Sequence, residues 1–207
     1  MKWKILSSEY ISKHKYFTAR KDKCETPEGK IIDEYFVVEL PKTACALALT
    51  EDGNVVMIKQ YRHPIGKVLL ELPGGFIDGN ETAAVAMTRE LKEDTGYEFS
   101  SVEEVGIVAA NPGVLDSYTS LFLATGGKKT GKQQLDPNEE IEIVIITLAE
   151  LKKLFLENKI VQSLHANCIF YALRKIRVSK KCNERCDGKP GSNRQHNSTD
   201  GVCYGCL

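Results

Sequence analysis

The sequence lacks any excess of charge of one sign: 28 lysines and arginines offset 28 aspartates and glutamates over 207 residues. That balance argues against a chain held to nucleic acid or to an anionic membrane surface by bulk electrostatics. No apolar run approaches the ~18 residues that a membrane span requires. Met1 to Ser7 holds no apolar stretch of signal-peptide length. The chain also lacks internal repeats and the cysteine framework of a secreted scaffold. Its seven cysteines are odd in number, and Cys24, Cys45 and Cys168 stand singly, which suits a reducing compartment. These absences lead to the expectation of a cytoplasmic protein with a small-molecule partner, without membrane or nucleic-acid association.

What is present is ordinary globular material, 42% hydrophobic and 27% charged, enough for one good-sized core with a small addition. Residues 1–42 read as a β-arm. Tyr16 to Arg20 and Tyr35 to Leu40 are extended, with a turn at Thr26-Pro27-Glu28-Gly29. In residues 43–178, Ala44 to Leu49 and Val55 to Ile58 form a hairpin across Thr50–Asn54. Further strands are expected at Val68 to Leu72, Val105 to Ala110, Ser120 to Ala124 and Ile141 to Ile146. Helices are expected from Asn80, as N-cap, to Gly96, from Leu148 to Glu157, and from His165 to Arg177. Strands outnumber helices without strict alternation, so the class is α/β (α+β), a mixed sheet sandwiched between helices. After residue 178 the composition turns to Ser, Asn, Gly and Lys, as in a flexible tail. There Cys182, Cys186, Cys203 and Cys206 have spacing near that of a four-thiolate Zn²⁺ ribbon. The alternative is a tail without metal.

The stretch from Gly75 to Tyr97 carries the chemistry. On a helix, Glu90 and Asp94 stand one turn apart, with Glu93 beside them. Ala84, Met87 and Leu91 form the neighbouring apolar arc. Three carboxylates on one face repel one another unless cations sit among them. Oxygen donors without thiolate or imidazole favour Mg²⁺ or Mn²⁺, which in turn suits polyphosphate chemistry. A solvated helix face with Lys92 as partial counter-ion is the plainer alternative for three acids taken alone.

The acids stand in a longer pattern that resembles the Nudix box, Gly-x5-Glu-x7-Arg-Glu-U-x-Glu-Glu-x-Gly-U, where U is bulky and apolar. Gly75, Glu81, Arg89, Glu90, Leu91, Glu93 and Gly96 fall on their positions, and Tyr97 fills the last. Asp94 departs from the pattern, shortening the usual Glu by one methylene. The resemblance implies a Nudix fold and hydrolysis of a nucleoside diphosphate linked to another moiety. It implies that Glu90, Asp94 and the Gly74 carbonyl hold metal, that Glu93 is a ligand or lies just behind one, and that Gly75, Glu81, Arg89 and Gly96 brace the loop–helix–loop.

Outside the box the likeness extends to the ADP-ribose and nucleotide-sugar pyrophosphatase branch. Gln60-Tyr61-Arg62 followed by Glu71-Leu72-Pro73-Gly74-Gly75 is similar to that branch, with Arg62 expected on a phosphate or the terminal ribose. Asn111-Pro112-Gly113 places a proline 16 residues after Gly96. The acidic loop Leu135–Glu142 offers Glu139, and next Glu140, as a metal ligand or general base. The resemblance further implies a homodimer with exchanged arms, in which Tyr16 and Tyr35, with Trp3 as an extra, flank the base; Phe76 and Asn111 complete the expected substrate set. GDP-mannose-type or broad pyrophosphatase activity is the alternative within enzymes. A non-catalytic ligand sensor is the alternative outside them.

Overall fold

The computed structural model describes the backbone of residues 1–186 and the side chains of residues 1–178. Three strands, β1 (Lys4–Ser12), β2 (Thr18–Glu25) and β3 (Ile31–Glu39), form a separate antiparallel sheet in sequence order. This is the expected N-terminal arm with one more strand than the sequence reading assigned. The β2–β3 turn closes as expected, the Gly29 amide donating to the Thr26 carbonyl at 2.9 Å with Gly29 at φ +80°. That left-handed geometry is the one glycine adopts without steric penalty.

The main sheet has eight strands: β4 (Thr43–Thr50), β5 (Asn54–Arg62), β6 (Lys67–Glu71), β7 (Gly74–Phe76), β8 (Tyr97–Glu98), β9 (Ser101–Val108), β10 (Thr119–Lys129) and β11 (Ile141–Thr147). Its central path runs β11-β5-β4-β10-β8, with β6 beside β5, β7 beside β4 and β9 beside β10. The β4–β10 pair is parallel and the others are antiparallel. The sheet is therefore mixed, as its unevenly spaced strands suggest.

Side-chain alternation along β4 explains the layers. Cys45 and Leu47 join Val55, Met57, Leu121 and Ile169 in a core shared with α2 (Leu148–Leu156) and α3 (Ser163–Cys186). Ala44, Ala46 and Ala48 face the other way, toward Met87 and Leu91 of α1 (Ala83–Thr95). Three alanines in that row leave room for α1 to lie close to the sheet, which brings its carboxylates against β7. No helix among the described residues is long and apolar enough to cross a membrane.

Some local expectations shift. The N-cap of α1 is Thr82, whose hydroxyl accepts from the Val85 amide, rather than Asn80. The sheet-facing arc accordingly begins at Ala83, while Ala84 is exposed. Gly96 ends the helix as expected, at φ +69°, its amide donating to the Lys92 carbonyl. The boundary drawn at residue 178 falls inside α3, which continues to Cys186. The Zn²⁺ reading on Cys182, Cys186, Cys203 and Cys206 lies outside the residues whose side chains are described. Cys24, Cys45 and Cys168 are buried and unpaired.

Candidate active site

A cavity of about 750 Å³ opens where β7, α1, the loop before β11 and the start of α3 meet. Local backbone chemistry builds its floor. A Cβ on Gly75 would come within 2.5 Å of Glu90 Oε1, and one on Gly74 within 2.8 Å of Cys45 Cα. Glycine at 74 is thus required for β7 to lie against the β4 backbone, and glycine at 75 leaves the Glu90 carboxylate its place.

Arg89 organises the helix start. Its Nη2 donates to the Phe76 carbonyl at 3.1 Å and to Glu81 Oε1 at 2.8 Å, and Glu81 Oε1 also accepts from the Asp78 amide at 2.8 Å. These bonds close the loop between β7 and α1. The same guanidinium sends Nη1 to Glu90 and Glu93, each at 2.9 Å. Contact with Glu81 in particular holds the Arg89 pKa above its ordinary value, and Arg89 with the Asp78 amide holds that of Glu81 below its own. Arg89, not Lys92, is the cation among the acids. Lys92 pairs with Glu98 at 2.6 Å.

Asp94 is 3% exposed, and Glu90 is largely buried beside it. Burial pushes the Asp94 carboxyl up to about 8, with further repulsion from Glu90, Glu139 and Glu93. Burial likewise raises Glu90, against the attraction of Arg89. Glu139 reaches the cavity because its loop is pinned to α1. Gln133 Nε2 donates to the Asp94 carbonyl at 2.8 Å, and the Gln134 amide donates to the Glu93 carbonyl at 2.8 Å. The Asp136 amide then donates to Glu139 Oε2 at 3.1 Å. Among the described residues, no three His, Cys, Asp or Glu side chains are gathered into a ready-made metal cluster.

Of the residues singled out from the sequence, Tyr16, Arg62, Gly74, Gly75, Phe76, Arg89, Glu90, Glu93, Asp94 and Glu139 all line this cavity. Tyr16 stacks on Phe76 of its own chain, ring centroids 5.3 Å apart. Glu140, Asn111 and Tyr35 are not in its lining. The Tyr35 hydroxyl instead donates to the Gly113 carbonyl at 2.9 Å, and its ring meets Trp3 edge-on. Arg62 is engaged as well as exposed to the cavity: its Nε and Nη2 grip the fully buried Glu71 at 2.6–3.2 Å. Gln162 and His165 also line the cavity, though nothing in the local sequence marks them. They arrive from the start of α3, roughly 90 residues after the strand they meet.

Comparison with known proteins agrees with this geometry. Residues 39–166 match the NUDIX domain, and residues 3–38 match the nucleoside diphosphate sugar hydrolase N-terminal domain. The chain belongs to the Nudix domain family and is, by class, a Nudix-fold hydrolase. Among its relatives is a methanol dehydrogenase activator of Bacillus methanolicus, 31% identical over 77% of this chain and 86% of that protein. An ADP-ribose pyrophosphatase of Bacillus subtilis is 28% identical over 81% and 91% of the two chains. One from Mycobacterium tuberculosis is 30% identical over 78% and 79%. The crystal structure of an ADP compounds hydrolase superposes with a TM-score of 0.75 at 20% identity, covering 89% of this chain and 97% of that one. At that identity the likeness concerns the fold.

Proposed function

We propose that the protein hydrolyses the diphosphate of ADP-ribose or a related nucleoside diphosphate sugar, releasing a nucleoside monophosphate and a sugar phosphate. The observation that carries this reading is the cavity itself, with buried carboxylates on α1 at one wall and a stacked aromatic pair at another. The pyrophosphatase relatives support the substrate class.

The donor set suits a hard divalent cation: it is oxygen-only, and it contains an aspartate whose pKa is pushed up to about 8 by burial first and by its negative neighbours second. Glu90, Asp94, the Gly74 carbonyl and Glu139 are the groups that would hold Mg²⁺ or Mn²⁺. When bound, such an ion neutralises phosphate oxygens and makes water a better nucleophile at neutral pH. Arg89 fixes Glu90 and Glu93 while its other nitrogen ties down the entering loop. Glu139, or Glu93, takes the proton of the attacking water as the new oxygen–phosphorus bond forms and the bridging phosphorus–oxygen bond breaks. Phe76 and Tyr16 offer flat apolar surface to the base. Glu71 occupies two nitrogens of Arg62, leaving Nη1 for a ligand.

The arm supports a homodimer reading. Ile5, Tyr10, Ile11 and Phe36 on the small sheet, with Phe17 in the β1–β2 turn, are exposed, a concentration of apolar surface that association would cover. A partner's arm would also be the means of bringing Tyr35 and Trp3 to a site. The test is a panel of ADP-ribose, GDP-mannose, UDP-glucose and dinucleoside polyphosphates with Mg²⁺ and product identification. ADP-ribose cleaved to AMP and ribose 5-phosphate is the expected result. Preference for GDP-mannose moves the assignment to the alternative branch, and tight binding without turnover replaces it with a sensor.

A further inference from the structure

β6 ends at Glu71 and β7 begins at Gly74, so Leu72 and Pro73 form a short link that belongs to neither ladder. The Gly74 carbonyl, one of the groups that would hold the metal, follows that link directly. Leu72 is 1% exposed, and a buried amide outside a ladder needs a partner elsewhere. Pro73 has no amide to donate. The link is nonetheless fixed from two sides. The Ala46 amide of β4 donates to the Pro73 carbonyl at 3.1 Å, and the Leu72 amide donates to His165 Nδ1 at 3.2 Å.

His165 is well matched to that bond. It is buried at the start of α3, and an Nδ1 that accepts from an amide places the ring proton on Nε2. Burial, with Arg62 nearby, pushes its pKa down to about 3, so the neutral ring keeps its acceptor at neutral pH. Neighbouring bonds hold α3 against the same strands. Gln162 Nε2 donates to Glu71 Oε1 at 3.3 Å, on the residue just before the link. Cys168 Sγ donates to the Cys45 carbonyl at 3.7 Å and to the Phe122 carbonyl at 3.4 Å. Cys45 is the β4 residue paired with Gly74. His165 and Cys168 lie on one face of α3, and that face thus grips both the link and the strand beside Gly74.

We propose that His165 is a positioning residue for the metal site: by holding the Leu72 amide it fixes the backbone that presents the Gly74 carbonyl to the cation. A side-chain ligand can be re-aimed by changing rotamer, whereas a backbone carbonyl depends on the bonds that fix the chain around it. The proposal rests on the hydrolase reading above, in which Gly74 supplies an oxygen to Mg²⁺ or Mn²⁺. Groups that orient a metal ligand without touching the metal commonly carry about 10-fold to 100-fold in metal affinity.

The test measures Mn²⁺ binding to the substrate-free protein by electron paramagnetic resonance, for wild type, His165→Asn, His165→Gln and His165→Leu. The Asn side-chain oxygen is separated from Cβ by the same number of bonds as Nδ1. Gln carries its oxygen one methylene farther, and Leu offers no acceptor. The Gln and Leu substitutions are expected to weaken Mn²⁺ binding by about tenfold or more, and Asn by less than about threefold. In turnover of ADP-ribose, the Mg²⁺ concentration for half-maximal rate should rise by the same factor in the Gln and Leu variants. Their kcat at saturating Mg²⁺ should stay within about threefold of wild type. A role confined to filling space predicts the reverse order, because Gln is nearer to His in volume than Asn is. That order, or equal affinity in all four proteins, overturns the proposal. Leu151→Ala, at a buried position of α2, should lower the melting temperature and leave Mn²⁺ binding unchanged; a loss equal to that of His165→Leu also overturns it. If His165→Leu does not fold, the comparison of Asn with Gln carries the same decision. If wild type binds no Mn²⁺, the metal-site reading falls and the proposal with it. If it binds Mn²⁺ but does not cleave ADP-ribose, only the substrate reading falls, and the order of Mn²⁺ affinities still decides the role of His165.

Discussion

The two sheets of this molecule are held by different physics. In β4, five of eight residues are buried, and β4 and β5 pack hydrocarbon on both faces. In β1, eight of nine residues are exposed. The arm's buried groups are Asp22 and Cys24. Asp22 accepts from Ser8 Oγ at 2.6 Å and from Arg20 Nε at 3.0 Å, and Arg20 pairs on with Glu39. Polar bonding thus forms the inside of the arm, while its isoleucines and aromatics face outward. The main sheet can bury its apolar surface alone, and the arm needs something else to cover it.

The largest effect should come from the main sheet's side of that contrast. Glu90→Gln is expected to cut kcat by at least about a thousandfold, equivalent to ~4 kcal/mol of activation free energy. The variant should stay folded, with the arm unaffected; near-normal turnover would sink the metal-site reading. Asp22→Ala should act on the other side. Removing one partner from a buried ionic network costs about 3 kcal/mol. Hydrogen exchange should show the loss in the arm strands while β4 and β5 keep their protection. Equal loss in both sheets would show that the two are one cooperative unit. Third, Ile11→Glu combined with Phe36→Glu should weaken the proposed dimer by more than about tenfold in sedimentation. A dimer that persists unchanged would move the interface off the arm.

The pH dependence of the metal-free protein sharpens the comparison from within the core. The folded-state pKa of Asp94 is raised to about 8, whereas an unfolded aspartate titrates near 3.9. The folded state then holds the extra proton between those values, so the stability contributed by this group is full below about pH 4 and is lost as pH rises toward 8. In EDTA the melting temperature should fall by several degrees across that interval on account of this group. Asp94→Asn should flatten the slope, and Mg²⁺ at pH 8 should restore stability in the wild type. An identical pH profile for Asp94→Asn would remove the aspartate from the account. The smallest effect is expected of Tyr35→Phe, which deletes an exposed bond to Gly113. It should cost ~0.5 kcal/mol or less, and a larger loss would make the arm–core contact more important than its geometry implies.

What could be read from sequence was local. The box from Gly75 to Tyr97 lies on one loop and one helix, so its spacing alone aligns Glu90 with Asp94. Six of the eight main-sheet strands were legible because their apolar residues are buried by this same chain, whereas β7 and β8, three and two residues long, are too short to show a pattern. β1 was not, since its exposed face removes the alternation that marks a strand. The helix start moved by two residues because Asn80 and Thr82 can both cap, and the Thr82 hydroxyl takes the bond to Val85. Sequence order already favoured Glu139 over Glu140, but the bonds that pin its loop to α1 and set it in the cavity lining join residues 39 apart and could not be read. Gln162 and His165 were beyond reach for a stronger reason: the His165–Leu72 contact spans 93 residues, and no local pattern encodes it.

The glycine at position 75 limits how this scaffold can drift. In a saturation library selected for turnover, position 75 should return glycine nearly alone, because any β-carbon there competes with the Glu90 carboxylate for the same space. Position 16 carries no such constraint and should tolerate a spread of residues with altered substrate preference, whereas position 62 is held to a cation by the buried Glu71 carboxylate. New specificities would then accumulate around the rim while the strand–helix junction stays frozen.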